Sequence, residues 1–209
     1  AGWLQGVGID CIAMNVNDLI CVGAEPLAFV DYIAVPESDP AVHSALGSSL
    51  AEGCQLARVT LAGGETATLP GIVIELDLSG TALGWFPAGH AITGDRLESE
   101  DVLIGLPSSG LHSNGYTLVR AVLKRSGKSL EDAVPFDIDD DGRISKWASN
   151  EGFTLGEVML NPTRIYVDPL VDLVLACREG KGPCSSDDLK AMAHITGGGL
   201  SNLLRLHDS

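Results

Sequence analysis

The run Val102–Arg120, VLIGLPSSGLHSNGYTLVR, constrains the fold of this chain more than any other stretch. Val102-Leu103-Ile104-Gly105-Leu106 is a short apolar run of the kind a buried strand uses. Ser108, Ser109, Gly110, Leu111, His112, Ser113 and Asn114 follow with loop chemistry. From Gly115 onward, apolar residues recur at helical spacing to about Ser126. The expected order is strand, polar loop, helix start. Backbone N–H groups at a helix N-terminus lack intrahelical partners and favour anions, so this turn suits a phosphorylated ligand. A capped loop with Ser113 or Asn114 as N-cap accounts for the same residues. The rhythm repeats later: Ala193-His194-Ile195-Thr196 is an expected strand, Gly197-Gly198-Gly199 a loop, and a helix begins at Leu200.

The first half supplies acids. Gly8–Gly23 has Ile9, Ile12, Ala13, Val16, Leu19 and Ile20 at three- and four-residue steps, which predicts a helix ended by Gly23 and Pro26. Asp10 and Asn17, seven residues apart, share a face, with Asp18 beside them. A carboxylate in apolar surroundings needs a cation or donors, whereas a solvent-facing polar stripe needs neither; both readings fit. Leu27–Val35 is rich in β-formers and carries one acid, Asp31. Asp39-Pro40 gives an N-cap and a first-turn proline. A helix follows with Val42, Leu46, Leu50 and Cys54 on one face and His43 at the surface. Arg58–Ala62 is an expected strand ending in Gly63-Gly64-Glu65-Thr66, where paired glycines admit close approach of a ligand or simply make a turn. Ile72–Phe86 is an expected long strand, or one bulged at Gly80. Pro87–Glu100 is Gly- and charge-rich without periodicity, and marks the domain boundary.

Past Ser129 the pattern is irregular. The acidic run Asp137-Ile138-Asp139-Asp140-Asp141-Gly142 lacks the closing Glu of a calcium loop, so it is expected to be a solvated insertion. Asn161–Val167 leads through a loop into a short strand, and Asp168-Pro169 caps a helix packed through Leu170, Leu173, Val174 and Cys177.

Composition narrows the partners. With 209 residues, 45% hydrophobic and 20% charged, the chain can build a sizeable core. A formal net charge of −15 argues against a nucleic-acid partner, although Mg²⁺ can bridge carboxylates to a nucleotide. Five cysteines without C-x-x-C spacing suggest reduced, packed thiols in a cytoplasmic protein. No apolar segment reaches membrane-spanning length, so no membrane partner is expected.

Five ordered blocks, GIDCIAMNVNDLICVGAEPL, AEGCQLARVTLAGGETATLPG, SSGLHSNGYTLVR, NPTRIYV and AHITGGGL, resemble the phosphoribosylformylglycinamidine cyclo-ligase (aminoimidazole ribonucleotide synthetase) family of purine biosynthesis. The resemblance implies an α/β (α+β), two-domain ATP-dependent synthetase fold. Residues 1–95 would be the remainder of an N-terminal nucleotide-binding and dimerisation domain, a β-sheet or half-barrel with packed helices. Residues 101–209 would be the first part of a C-terminal substrate-binding domain, a sheet flanked by helices. The family's upstream Gly-rich segment and Asp-Gly-x-Gly-Thr-Lys motif are not among these residues, and its second domain continues past the AHITGGGL block, so the chain is expected to be truncated at both ends and to show weak or absent turnover by itself. Thr68 stands where the family usually has an acid.

The implied chemistry is ATP-dependent closure of formylglycinamidine ribonucleotide to 5-aminoimidazole ribonucleotide, in a homodimer, with ATP and Mg²⁺. By residue, the resemblance implies Asp18 and Glu65 at the metal and Asp10, Asn17, Gly63, Gly64 and Thr66 at the nucleotide. Ser109, Ser113, Asn114, Thr196, Gly197, Gly198 and Gly199 would bind substrate, with His112 and His194 as candidate proton carriers. Other ATP-using enzymes of the fold (selenophosphate synthetase, thiamine-phosphate kinase) and a non-catalytic dimerising module are the alternatives.

Overall fold

The computed structural model describes residues 4–138 and 153–206. Its core is one three-stranded sheet covered on one face by helices. Helix α1 (Val7–Cys21) leads into β1 (Glu25–Val35), α2 (Pro40–Leu56), β2 (Thr60–Thr68) and β3 (Asp77–Trp85). The sheet order is β2-β1-β3, with β1 parallel to β2 and antiparallel to β3. The parallel pair needs a crossover, and α2 supplies it. Asp39 caps α2 by accepting from the N–H groups of Ala41 and Val42, ahead of Pro40. Ile12, Val16 and Ile20 of α1, Leu46 and Leu50 of α2, and Phe29 and Ile33 of β1 form the buried cluster, joined by Val167 and Val171. His43 is half-buried rather than at the surface.

Two contacts fix this packing. Gly8 lets α1 approach α2 so closely that a Cβ there would lie 2.5 Å from the Leu50 nitrogen. Ser49 Oγ then accepts the Gly8 and Ile9 N–H groups at 2.8 and 3.2 Å, satisfying donors that the first turn of α1 cannot pair internally.

The second half contains α3 (Tyr116–Ser126), α4 (Leu155–Met159) and α5 (Val167–Arg178), with 3₁₀ turns at Ser186–Asp188 and Gly199–Arg205. α4 opens with a capping box between Thr154 and Glu157. α5 packs Val167, Val171, Val174 and Cys177 inward.

The strand expectations need several corrections. Val102–Leu106 forms no strand: Val102, Leu103 and Ile104 are 85%, 76% and 79% exposed. An apolar run becomes a strand only where another strand offers hydrogen-bond partners, and among the described residues none lies beside it. Ala193–Thr196 likewise has no ladder, and the glycine run after it opens a 3₁₀ turn, not an α-helix. In the second half, the described residues form only one isolated bridge, Ala133–Thr154. β2 runs through Gly63–Thr66 rather than ending there, because that segment pairs with Val30–Ile33. β3 starts at Asp77, leaving Ile72 and Ile74 exposed; its irregularity lies opposite Pro26/Ala28, not at Gly80. Asn161–Val167 passes directly into α5, whose N-cap is Tyr166. Asp168 sits in the first turn and pairs with Arg58. Most of the acidic insertion, from Asp139 on, lies outside the described residues.

Candidate functional site

Helix α1 presents Asp10, Met14, Asn17 and Asp18 at spacings of four, three and one, so the four side chains occupy one arc of the helix. Each takes a partner from the second half of the chain. Asp10 Oδ1 accepts from Thr163 N at 2.8 Å, from Thr163 Oγ1 at 2.6 Å and from Ser113 Oγ at 3.1 Å. Met14 Sδ accepts from Asn114 Nδ2. Asn17, 2% exposed, donates to the Arg164 carbonyl at 2.9 Å and accepts from Tyr166 N at 3.1 Å. Asp18 Oδ1 meets His194 Nδ1 at 2.9 Å. The polar stripe therefore serves as a seam, along which the segments 109–114, 161–166 and 194–197 assemble.

Burial pushes the Asp10 carboxyl above its ordinary range, and the bonds from Thr163 and Ser113 pull against that shift. The Ser113 and Thr163 hydroxyls are also 2.7 Å apart. Two hydroxyl protons thus serve three oxygen–oxygen contacts, which makes a compact network closed by one carboxylate.

His112 organises the loop beside it. Its φ of +57° is left-handed, and its Nε2 accepts from Ser109 N at 3.0 Å and from Arg164 N at 3.4 Å, with Ser109 Oγ at 3.1 Å. An imidazole nitrogen that accepts backbone N–H groups carries no proton of its own, so in this geometry Nε2 is the unprotonated nitrogen. Ser109 Oγ donates to Pro162 O and Asn161 donates to Ser109 O, which ties the loop to the 161–164 segment. Gly115, at φ +85°, starts α3 without a side-chain cap, so neither Ser113 nor Asn114 caps it.

The glycine run is held from behind. Asn202, 2% exposed, accepts from Thr196 N at 2.9 Å. A Cβ on Gly197 would fall 3.7 Å from the Asn114 side chain, so the two loops adjoin. Gly198 lies close to Ser201 and Asn202, and Gly199, at φ +56°, opens the 3₁₀ turn.

Gly63, Gly64, Glu65 and Thr66 stand on β2, exposed, with Glu65 opposite Tyr32. The ladder places Gly64 opposite Asp31, and a Cβ on Gly64 would collide with the Asp31 carboxylate. Gly64 therefore has a packing role whatever else it does, whereas Gly63 has open space where a Cβ would go.

Thr163, Asn161, Met14 and Asn202 complete the seam and were not among the sequence-based candidates. The block NPTRIYV carried the first two, but a Thr between Pro and Arg shows its role only when a carboxylate from α1 reaches it.

Comparison with known proteins gives the relationship. The family model described as AIR synthase related protein, N-terminal domain, matches residues 3–86, and the corresponding C-terminal domain model matches residues 98–206. Phosphoribosylformylglycinamidine cyclo-ligase from Methanosarcina mazei is 44% identical over 200 residues, covering 96% of this chain and 53% of the relative. The Thermoplasma acidophilum protein of the same name is 42% identical over 202 residues, covering 97% and 53%. The chain thus spans about half the length of the curated relatives it matches. Among solved structures, thiamine-monophosphate kinase from Stenotrophomonas maltophilia shares the fold at TM-score 0.53 and 22% identity, covering 81% of this chain and 46% of its own. With one domain model matching its first half and the other its second, this chain belongs to the AIR synthase related protein family.

Proposed function

We propose that the protein containing this chain closes formylglycinamidine ribonucleotide to 5-aminoimidazole ribonucleotide at the expense of ATP. The observation that carries the reading is the convergence of three separate loops, at Ser109–Asn114, Asn161–Arg164 and His194–Gly197, on one polar arc of α1. The names of the relatives supply the reaction. In this reading the formyl-amide oxygen takes the γ-phosphoryl group and becomes a leaving group. The amidine nitrogen then attacks that carbon, and phosphate departs. The chain's own contribution is positioning and charge neutralisation.

Residues 101–209 belong to the substrate side in this reading. Ser109, Ser113, Asn114, Thr196 and the Gly197–Gly199 backbone bind the ribonucleotide. His112, whose Nε2 accepts from the Ser109 N–H, holds the loop. His194, paired with Asp18, is the better placed of the two histidines to exchange a proton. Residues 1–95 belong to the nucleotide side, with the open backbone at Gly63 toward ATP and Asp10 and Asn17 supporting it from the seam.

Among the described residues, no group of three or more His, Cys, Asp or Glu side chains could cage a metal. Mg²⁺ on a nucleotide needs only one or two protein carboxylates beside the phosphates, and the 63%-exposed Asp18 side chain and the exposed Glu65 fit that demand. Bound there, Mg²⁺ would supply charge neutralisation to the phosphates.

A homodimer joined through the first domains suits the outer face of the sheet, where Val30, Tyr32, Leu83 and Trp85 stand exposed. A cytoplasmic setting is supported by five free cysteines, and among the described residues no helix is long and apolar enough to cross a membrane.

The test is release of ADP or AMP by the full-length protein with formylglycinamidine ribonucleotide, thiamine monophosphate or selenide as acceptor. Release with the ribonucleotide alone, accompanied by aminoimidazole formation, is expected. Release only with a non-purine acceptor would overturn the proposal.

A further inference from the structure

Helix α5 ends in a turn that brings two sulfurs together. Gly180, at φ +69°, reverses the chain, and the N–H groups of Lys181 and Gly182 both donate to the Ala176 carbonyl, at 2.8 and 2.9 Å. Gly182 passes so close to the helix that a Cβ would lie 2.5 Å from Cys177 Sγ and 2.8 Å from the Cys177 nitrogen. Pro183 and Cys184 then fold back over the helix end. Beyond them a capping box fixes the chain, with Ser185 N donating to Asp188 Oδ2 at 2.9 Å. Held from both sides, Cys184 Sγ stands 3.6 Å from Cys177 Sγ. Cys177 is buried, at 3% exposed, and Cys184 is half-buried. The remaining cysteines lie elsewhere, Cys11 and Cys21 on α1 and Cys54 on α2.

We propose that Cys177 and Cys184 are a dithiol modification site, converted by small-molecule disulfides into an intramolecular disulfide. Deprotonated Cys184, the more accessible thiol, attacks one sulfur of the oxidant. The oxidant's S–S bond breaks and its first thiol leaves with a proton. Deprotonated Cys177 then attacks Cys184 Sγ, the protein disulfide forms, and the second oxidant thiol leaves with a proton. Two protein thiols lose two electrons and two protons, and one small disulfide becomes two thiols. The Cys177 sulfur, partial burial and the charge of Asp188 hold the Cys184 thiol above its ordinary range. The pair is therefore not an activated nucleophile, and its oxidation follows from proximity and redox poise. The site borders a structural clamp, since Arg178 donates to Gly23 O and His90 O at 2.9 and 2.8 Å.

The test incubates the full-length protein containing this chain with excess oxidised glutathione, quenches with acid, alkylates with N-ethylmaleimide and maps tryptic peptides by mass spectrometry. Cleavage after Arg178 and Lys181 separates the two cysteines, so closure links the peptide ending at Arg178 to the one beginning at Gly182. The expected product is that linked pair, reversed by dithiothreitol, with Cys11, Cys21 and Cys54 alkylated. Cys177→Ala should instead accumulate a glutathione adduct on Cys184, and Cys184→Ser should leave Cys177 unoxidised. Recovery of Cys177 and Cys184 both alkylated from the oxidised wild type, or a stable adduct on wild-type Cys184 without closure, would overturn the proposal.

Discussion

Replacing Asp10 by alanine tests the seam at its most connected point. The substitution removes the acceptor of three donors that sit 2.6 to 3.1 Å from Asp10 Oδ1. The Ser113 and Thr163 hydroxyls can keep their mutual bond, so the lasting losses are the Thr163 N–H and one hydroxyl proton. Thr163 is 1% exposed, so its donors depend on protein acceptors. Each orphaned buried donor costs about 1–3 kcal/mol, giving a gross loss of about 2–6 kcal/mol for the two. Removing the buried carboxylate recovers part of this, because its raised pKa shows that burial outweighs its three bonds. The net expectation is about 2–3 kcal/mol lost for Asp10→Ala.

Asp10→Asn keeps an oxygen where Oδ1 stands, so it should cost about 0–1 kcal/mol. The two variants also separate by pH. The folded pKa of Asp10 lies above the unfolded one, so the folded state binds more protons over the window that opens near 3.8. Stability contributed at this site therefore falls as pH rises through that window, and it is flat above the folded pKa. Asparagine has no such slope, so Asp10→Asn should gain on the wild type as pH rises. Urea unfolding of wild type and both variants from about pH 4 to about pH 8 measures both effects. An Asp10→Ala unfolding free energy that matches that of Asp10→Asn to within about 0.5 kcal/mol would refute the reasoning.

Two further substitutions probe the frame that holds this site. Gly8→Ala should cost more than about 2 kcal/mol in urea unfolding, because the added methyl meets the backbone of Ser49 and Leu50, which cannot rotate away. Asn17→Asp keeps an acceptor for Tyr166 N but deletes the donor to Arg164 O and buries a charge. A loss of about 2–4 kcal/mol at neutral pH that shrinks on acidification is expected, and an equal loss in acid would count against the buried-charge explanation.

Local chemistry made the helices legible. Helix α1 follows from its apolar spacing, and Asp39-Pro40 marks the start of α2 because both residues act within the first turn they begin. The strands were less legible, because pairing extends β2 through Gly63–Thr66 and the lack of a partner leaves Val102–Leu106 without a ladder. Ser113, Asn114, His194 and Gly197 could be singled out as polar loop residues, but nothing in their spacing shows which helix receives them.

By itself, then, the sequence determined the helices α1, α2, α3 and α5, the family to which they belong, and a polar stripe of Asp10, Asn17 and Asp18 on an otherwise apolar helix, but not α4 or the 3₁₀ form of the turn at Gly199. Only the tertiary structure decided between solvent and burial for that stripe, by bringing Thr163, Arg164 and Tyr166 to it from about 150 residues further along the chain. Periodicity records which way a residue faces on its own helix, whereas the partner that satisfies it is set by packing between distant segments. Local turns did the rest, making His112 an acceptor for Ser109 N–H and setting Cys177 beside Cys184.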